Sequence, residues 1–313
     1  LGCPRPVRLN LPGEDLAGIF HGLSFLKAVR SGRAPDMHGR VLVIGGGNVA
    51  VDSAQTSLRL GAESAALVSL EAEGNLPAFP SALEDARREG VTMECSWGPT
   101  DFVPGLGSKI QVRLRRCLHV FDEDGLFRPE FDETRTKTLE ADQVIVAVGQ
   151  RDERGLLPDA WKDREGDLVF DPLTLQAAPK LFHAGDLVGG PSSVVEAMAS
   201  GRRAAESVNR YLAGRHLRYN RAYPGPHEFD FEIGVSSAKP GPRNPVPLRP
   251  PAGKGDFGEI ERAFDPDTAR READRCLSCG GPFGKYRTCW FCLPCEVECP
   301  HQALRVEIPY LLR

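Results

Sequence analysis

Six of the nine cysteines lie between Cys276 and Cys299, and four of them follow the pattern Cys289-x2-Cys292-x2-Cys295-x3-Cys299-Pro300. Thiolates this close together wrap three corners of a 4Fe–4S cubane, and the cysteine before proline typically serves another cluster. Cys276-x2-Cys279 offers two further thiolates just upstream. Paired C-x2-C units also suit a tetrahedral zinc site, the competing reading, but four cysteines at this spacing with the proline favour iron–sulfur. Disulfides rank lower, because such crowding in a chain without a secretory signal points to metal. Two clusters need about eight thiolates, and this block holds six. Either one cluster is complete with two ligands over, or a second run lies beyond Arg313. The strand-like tail Leu304 to Tyr310 favours the second view.

A different chemistry is written at Gly45-Gly46-Gly47-Asn48-Val49-Ala50. Gly45, Gly47 and Ala50 fit G-x-G-x-x-G/A, in which glycines let the backbone approach a pyrophosphate and a helix N-terminus supplies free N–H groups. Glu71 lies about 20 residues beyond Ala50, where a carboxylate would hold a ribose 2′-OH. The competing reading is a glycine turn in some other α/β unit.

These residues need particular elements to hold them. Val41 to Ile44 read as a buried parallel strand, and Ala54, Leu58 and Leu60 continue a helical face that Gly61 stops. A second strand is expected at Ala65 to Leu70, then a helix from Ser81 to Glu89 closed by Gly90. Strands follow at Val91 to Cys95 and Ile110 to Phe121, a polar turn region at Asp122 to Thr138, and a buried strand at Gln143 to Gly149. Ahead of this unit, residues 16 to 34 read as a helix. Beyond it, Leu181 to Asp186 reads as a short strand and Val194 to Leu212 as a long helix. Asp186 and the helix start at Ser193 and Val194 then form a ligand edge beyond a strand's carboxyl end, unless Asp186 serves only as a turn or cap. Residues 215 to 257 are rich in proline and glycine and read as an extended linker. A helix from Phe257 to Arg275 leads into the cysteines.

Composition narrows the classes. The chain has 313 residues, enough for about two domains. A net charge of −4 provides no electrostatic footprint for nucleic acid. No apolar run approaches the roughly 18 residues of a membrane span. Cysteines held as thiols are expected in a reducing cytoplasm. Cys3, Cys95 and Cys117 are scattered and read as small core residues, and His119 and His183 as structural. The chain opens on Leu1 and runs straight into a loop, and reads as cut at both ends.

Together these residues resemble the glutamate synthase small-subunit family of NAD(P)H-dependent FAD and iron–sulfur oxidoreductases. The resemblance runs through LPGEDLAGI (Leu11 to Ile19), VIGGGNVAVDSAQTSLRLGA (Val43 to Ala62) and LPAF (Leu76 to Phe79). It continues through VIVAVGQ (Val144 to Gln150), AGDLVGGPSSVVEAMASGRRAA (Ala184 to Ala205) and EADRCLSCG (Glu272 to Gly280). It implies an α/β fold, pyridine nucleotide-disulfide oxidoreductase-like, with a Rossmann-like nicotinamide domain inserted in an FAD domain and a C-terminal ferredoxin-like 4Fe–4S segment. Residues 1–38 would be a remnant of the FAD domain with a connecting helix, 39–150 the nicotinamide domain, and 151–214 the returning half of the FAD domain. Residues 215–275 would be linker and helix, and 276–313 the iron–sulfur segment. By the same resemblance Gly149, Gln150, Gly185, Asp186, Ser193, Val194 and Val195 join the cofactor-binding set, with Asp186 on the flavin's ribityl chain. The backbone at Val194 and Val195 would face the isoalloxazine.

Three departures accompany it. The FAD fingerprint that opens the family's flavin domain is absent. Ser69-Leu70-Glu71-Ala72 places a carboxylate where NADP-using members carry arginines, which favours NAD(H) over NADP(H). Gly280 to Thr288 separates Cys279 from Cys289 more widely than in that family. The function implied is electron transfer from a nicotinamide through FAD and 4Fe–4S clusters to a larger redox-enzyme subunit or a ferredoxin. The alternatives are a disulfide reductase-type flavoprotein and a non-catalytic structural subunit of a redox complex.

Overall fold

Val41, Leu42, Val43 and Ile44 are all buried, so the strand they form must be covered on both faces. The computed structural model describes residues 2–221 apart from 154, 156 and 165, together with 241–250 and 253–275. The chain divides into two units, Leu1–Gly225 with Pro251–Phe257 and Pro226–Pro250 with Gly258–Arg313.

The first unit opens with β1 (Arg5–Pro6), β2 (Ile19–His21) and α1 (Gly22–Arg30). The helix expected over 16–34 therefore gives up its first turn to a strand, because Ile19–His21 pair in parallel with Val144–Val146. Then come β3 (Arg40–Ile44), α2 (Asn48–Leu60), β4 (Ser64–Ser69), α3 (Pro80–Arg88) and β5 (Thr92–Cys95). The chain continues through β6 (Trp97–Pro104), β7 (Ile110–Phe121), β8 (Phe127–Ala141), β9 (Gln143–Val146) and β10 (Gln150–Arg151).

β2-β9-β3-β4-β5 form one sheet and β6-β7-β8 another. All four pairings in the first are parallel, as expected of strands joined by helical crossovers. Alternation along β3 sends Val41 and Val43 to one side, packed with Ala50, Val51 and Ala54 of α2 and Leu83 and Ala86 of α3. Leu42 and Ile44 go to the other, packed with Phe102, Ile110, Val112 and Leu114 of the antiparallel sheet. The result is three layers, with helices on one face of the parallel sheet and a second sheet on the other.

The polar region expected at Asp122 to Thr138 is mostly strand. The turn itself is short: Asp122 Oδ1 accepts the N–H groups of Asp124 (3.1 Å) and Leu126 (2.9 Å), and Gly125 sits at φ 75°. β8 follows on the sheet's edge, where one side of a strand faces water and polar residues fit it. β6 was not anticipated. It carries Pro99 and Pro104, which an edge strand tolerates because it needs fewer ladder donors.

The rest of this unit holds β11 (Gln176–Ala178), β12 (Leu181–Phe182), α4 (Asp186–Gly189) and α5 (Val194–Leu212). The strand expected through Asp186 ends at Phe182, and Gly185, at φ 68° and ψ −152°, turns the chain into α4, which Asp186 opens. In the second unit the helix expected from Phe257 is confined to α6 (Pro266–Asp274). Asp265 caps it through the N–H groups of Asp267 and Thr268, and Pro266 takes the first position. Among the described residues no helix is long and apolar enough to cross a membrane.

Candidate functional site

The turn between β3 and α2 lies at the carboxyl edge of the parallel sheet, where β4 and β5 leave to one side and β9 and β2 to the other. Ligands of open α/β sheets bind at such a divide. Gly45 is at φ 139°, and a side chain there would overlap the Ala147 carbonyl, whose carbon lies 2.9 Å from the position of a Cβ. A Cβ on Gly46 would stand 3.0 Å from Glu71 Oε2, whereas one on Gly47 would meet nothing within 4 Å among the described residues. Gly47 is the N-cap of α2 and no side chain caps it. The N–H groups of Asn48 and Val49 accordingly have no acceptor among the described residues. Open space over uncapped N–H groups fits an anionic pyrophosphate.

The structure brings Gly45, Gly46, Gly47, Asn48, Val49, Ala50 and Glu71 together. Ser69 Oγ–H donates to the Glu71 carbonyl (3.2 Å), and the Ser96 N–H donates to the same oxygen (2.8 Å). The loop after Glu71 is pinned back over the turn, with Ala78 N–H on the Gly46 carbonyl (3.1 Å) and Phe79 N–H on Asn48 Oδ1 (2.9 Å). Sequence reasoning missed these clamps. Asn48 inside a glycine turn was the available signal, but its partner lies 31 residues on. Ser96, at φ 64°, was equally hidden. Cys95 and Cys117 flank this region, and burial pushes both thiols up, which keeps them protonated and unreactive.

Gly149 and Gln150 follow β9 and meet the N-terminal segment. Val7 N–H donates to the Gly149 carbonyl (3.0 Å), and Gln150 pairs with Pro6. Gly185, Asp186, Ser193, Val194 and Val195 form a second group. Gly185 N–H donates to Ser200 Oγ (3.0 Å) on α5, and Ser192 Oγ–H to Asp186 Oδ1 (3.3 Å). Ser193 and Glu196 make a reciprocal capping box at the start of α5. Bonds from the Ser193 N–H and hydroxyl hold the Glu196 carboxyl below its usual range. Val194 and Val195, the first residues of α5, remain 77% and 74% exposed and leave an open apolar surface there. Cys276, Cys279, Cys289, Cys292, Cys295 and Cys299 lie outside the described residues.

The family model for pyridine nucleotide-disulphide oxidoreductases matches residues 1–201. The chain is 32% identical over 298 residues to the NADP(+)-dependent formate dehydrogenase subunit beta of Moorella thermoacetica, covering 89% of this chain and 41% of that protein. It is 31% identical over 232 residues to the glutamate synthase (NADPH) small chain of Escherichia coli strain K12, covering 68% and 49%. It thus spans about half the length of these curated relatives. FprA, an oxidoreductase of Mycobacterium tuberculosis, shares the fold at TM-score 0.54 and 19% identity, over 68% of this chain and 63% of that one. The chain belongs to the pyridine nucleotide-disulphide oxidoreductase family.

Proposed function

We propose that this chain is the nicotinamide-oxidising part of an electron-transfer flavoprotein that passes electrons through FAD and 4Fe–4S clusters to a larger redox subunit or a ferredoxin. The observation that carries this reading is the Gly45–Gly47 turn, open above Gly47 and faced by the Glu71 carboxylate. Residues 39–150 hold the nicotinamide cofactor, and 151–214 contribute to FAD binding through Gly185, Asp186 and the start of α5. FAD takes a hydride as an electron pair and releases electrons singly, which one-electron clusters require. The chain's own part is to hold and orient: N–H groups of Asn48 and Val49 on the pyrophosphate, Glu71 on the ribose diol, Asp186 and the N–H groups of Val194 and Val195 toward the flavin. Four cysteines at ferredoxin spacing, Cys289, Cys292, Cys295 and Cys299, with Cys276 and Cys279 upstream, supply thiolates for iron.

Names of relatives carry NADP or NADPH. At Glu71 this chain favours NAD(H), because a carboxylate accepts a ribose hydroxyl and repels a 2′-phosphate. Their designations as a beta subunit and a small chain support a partner subunit here, and thiol-rich iron ligation suits a reducing cytoplasm.

The test uses the full-length protein purified without oxygen. NADH is expected to bleach its flavin with a kcat/KM at least about tenfold above that of NADPH. Glu71→Arg should shrink or invert that ratio, since removing a like charge beside a phosphate is worth about 1–3 kcal/mol. A protein with neither flavin nor acid-labile sulfide, or one whose flavin ignores both nucleotides, overturns the reading.

A further inference from the structure

A dinucleotide laid on the glycine turn runs in two directions. Glu71 takes the adenine-side ribose beyond β4, so the nicotinamide side runs the other way, over the ends of β9 and β2. The end of β9 is in contact with the turn through Ala147 and Gly45. β2 is the next strand, and it ends at His21, in register with Val146. Strands lie about 4.8 Å apart, so His21 stands two strand spacings from β3 along the path of the ribose and its ring.

His21 is the N-cap of α1, yet its side chain makes no capping hydrogen bond. It shares a strand face with Ile19, which packs on the antiparallel-sheet side, while Phe20 packs with the helices. On that side Nδ1 is buried and has no hydrogen-bond partner among the described residues, with Glu14 Oε1 4.0 Å away. The Glu14 side chain is 2% exposed. Its carboxylate accepts the N–H groups of Leu9 (3.1 Å) and Asn10 (2.7 Å), with Arg8 Nε 4.0 Å away. This places a buried acceptor opposite Nδ1. In the neutral imidazole a carboxylate there favours the tautomer with the proton on Nδ1, which leaves Nε2 as the acceptor. A fifth of the His21 side chain stays exposed.

We infer that His21 reads the nicotinamide itself: Nε2 accepts the carboxamide N–H of the bound dinucleotide, and Glu14 is the positioning residue that fixes the tautomer. The inference rests on the dinucleotide reading of the glycine turn. It assigns a task to the Pro12-Gly13-Glu14-Asp15 loop, which the cofactor set above does not use.

The test is equilibrium binding to the oxidised full-length protein, so no turnover enters. The probes are NAD+, its 3-acetylpyridine analogue, which lacks the carboxamide N–H, and ADP-ribose, which lacks the ring. One net hydrogen bond predicts that the wild type binds NAD+ about three- to tenfold more tightly than the analogue. His21→Ala should erase that preference and leave ADP-ribose binding unchanged, which also shows that the variant is folded. His21→Gln, which retains an acceptor, should keep part of the preference, and Glu14→Gln should reduce it. Equal wild-type affinity for NAD+ and the analogue, or a preference that survives His21→Ala, overturns the inference. Wild-type protein that binds none of the three probes overturns the dinucleotide reading, and the inference falls with it. ADP-ribose binding without ring discrimination removes the inference alone.

Discussion

Three adjacent glycines sit in three different surroundings, so a single methyl group should separate them. Gly45 is at φ 139° and leans on the Ala147 carbonyl. Gly45→Ala is therefore expected to cost on the order of 1–3 kcal/mol of stability, from backbone strain and overlap. Gly47, at φ −88°, is conformationally ordinary and faces open space. Gly47→Ala should leave the melting temperature unchanged and weaken dinucleotide binding about tenfold or more, because the methyl occupies the approach to the helix N-terminus. Thermal denaturation beside a nucleotide titration reads both effects. A Gly47→Ala protein that binds normally would remove the cradle from the turn. The spacing of Gly45, Gly47 and Ala50 was legible because the constraint is local: a strand, a turn and a helix within a few residues. The Ala147 carbonyl that makes Gly45 obligatory lies about a hundred residues away, and no local pattern announces it.

Elements were legible where one face is apolar and the ends carry caps. α5 runs over Val194–Leu212 as read, because Ser193 and Glu196 start it and Gly214 follows its end at φ 64°. β8 escaped because an edge strand facing water shows no apolar alternation. α1 was read too long because Ile19 is helix-compatible until Val144 pairs with it. His183, between β12 and α4, shows how an element's packing becomes a pH response. It is 4% exposed, Nε2 has no hydrogen-bond partner among the described residues, and its ring meets Trp161 and Phe170 edge-on. Burial pushes its pKa down. The unfolded chain then takes up the proton first, so this stability is complete above about pH 6.5 and is lost as pH falls through the depressed folded value. His183→Phe keeps a ring and removes the titration. Its urea midpoint should stay flat where the wild type declines below about pH 6.5. Asp171 and Glu196 have lowered pKa values and lose their contributions only under more acidic conditions, which keeps the two effects apart. An unchanged slope in His183→Phe would place the response elsewhere.

At the scale of the molecule, α2 is addressed from both ends. Its N-terminus faces the open space above Gly47. At its C-terminus, Gly255 N–H donates to the Arg59 carbonyl (2.7 Å), and Lys254 packs against Gly61. A cation there complements the helix dipole. The segment 253–257, which leads toward the cysteines, is thus tied to the same helix that opens the nucleotide site. β1 and β10, joined further by the Arg5–Glu153 ion pair, carry the chain into and out of the nucleotide layers. If hydride acceptance and single-electron delivery belong to separate parts of one chain, they should come apart on removal of iron. Chelation of iron from the full-length protein, without oxygen, is expected to leave bleaching of the flavin by NADH within about twofold of its original rate. On the proposed reading, in which thiolate-bound iron is the one-electron stage, reduction of an added ferredoxin should fall by at least about tenfold. Rapid-mixing absorbance follows both signals in one sample. Ferredoxin reduction that persists after iron is gone would take residues 276–313 off the electron path, and loss of both signals would make iron a structural prop of the nucleotide unit.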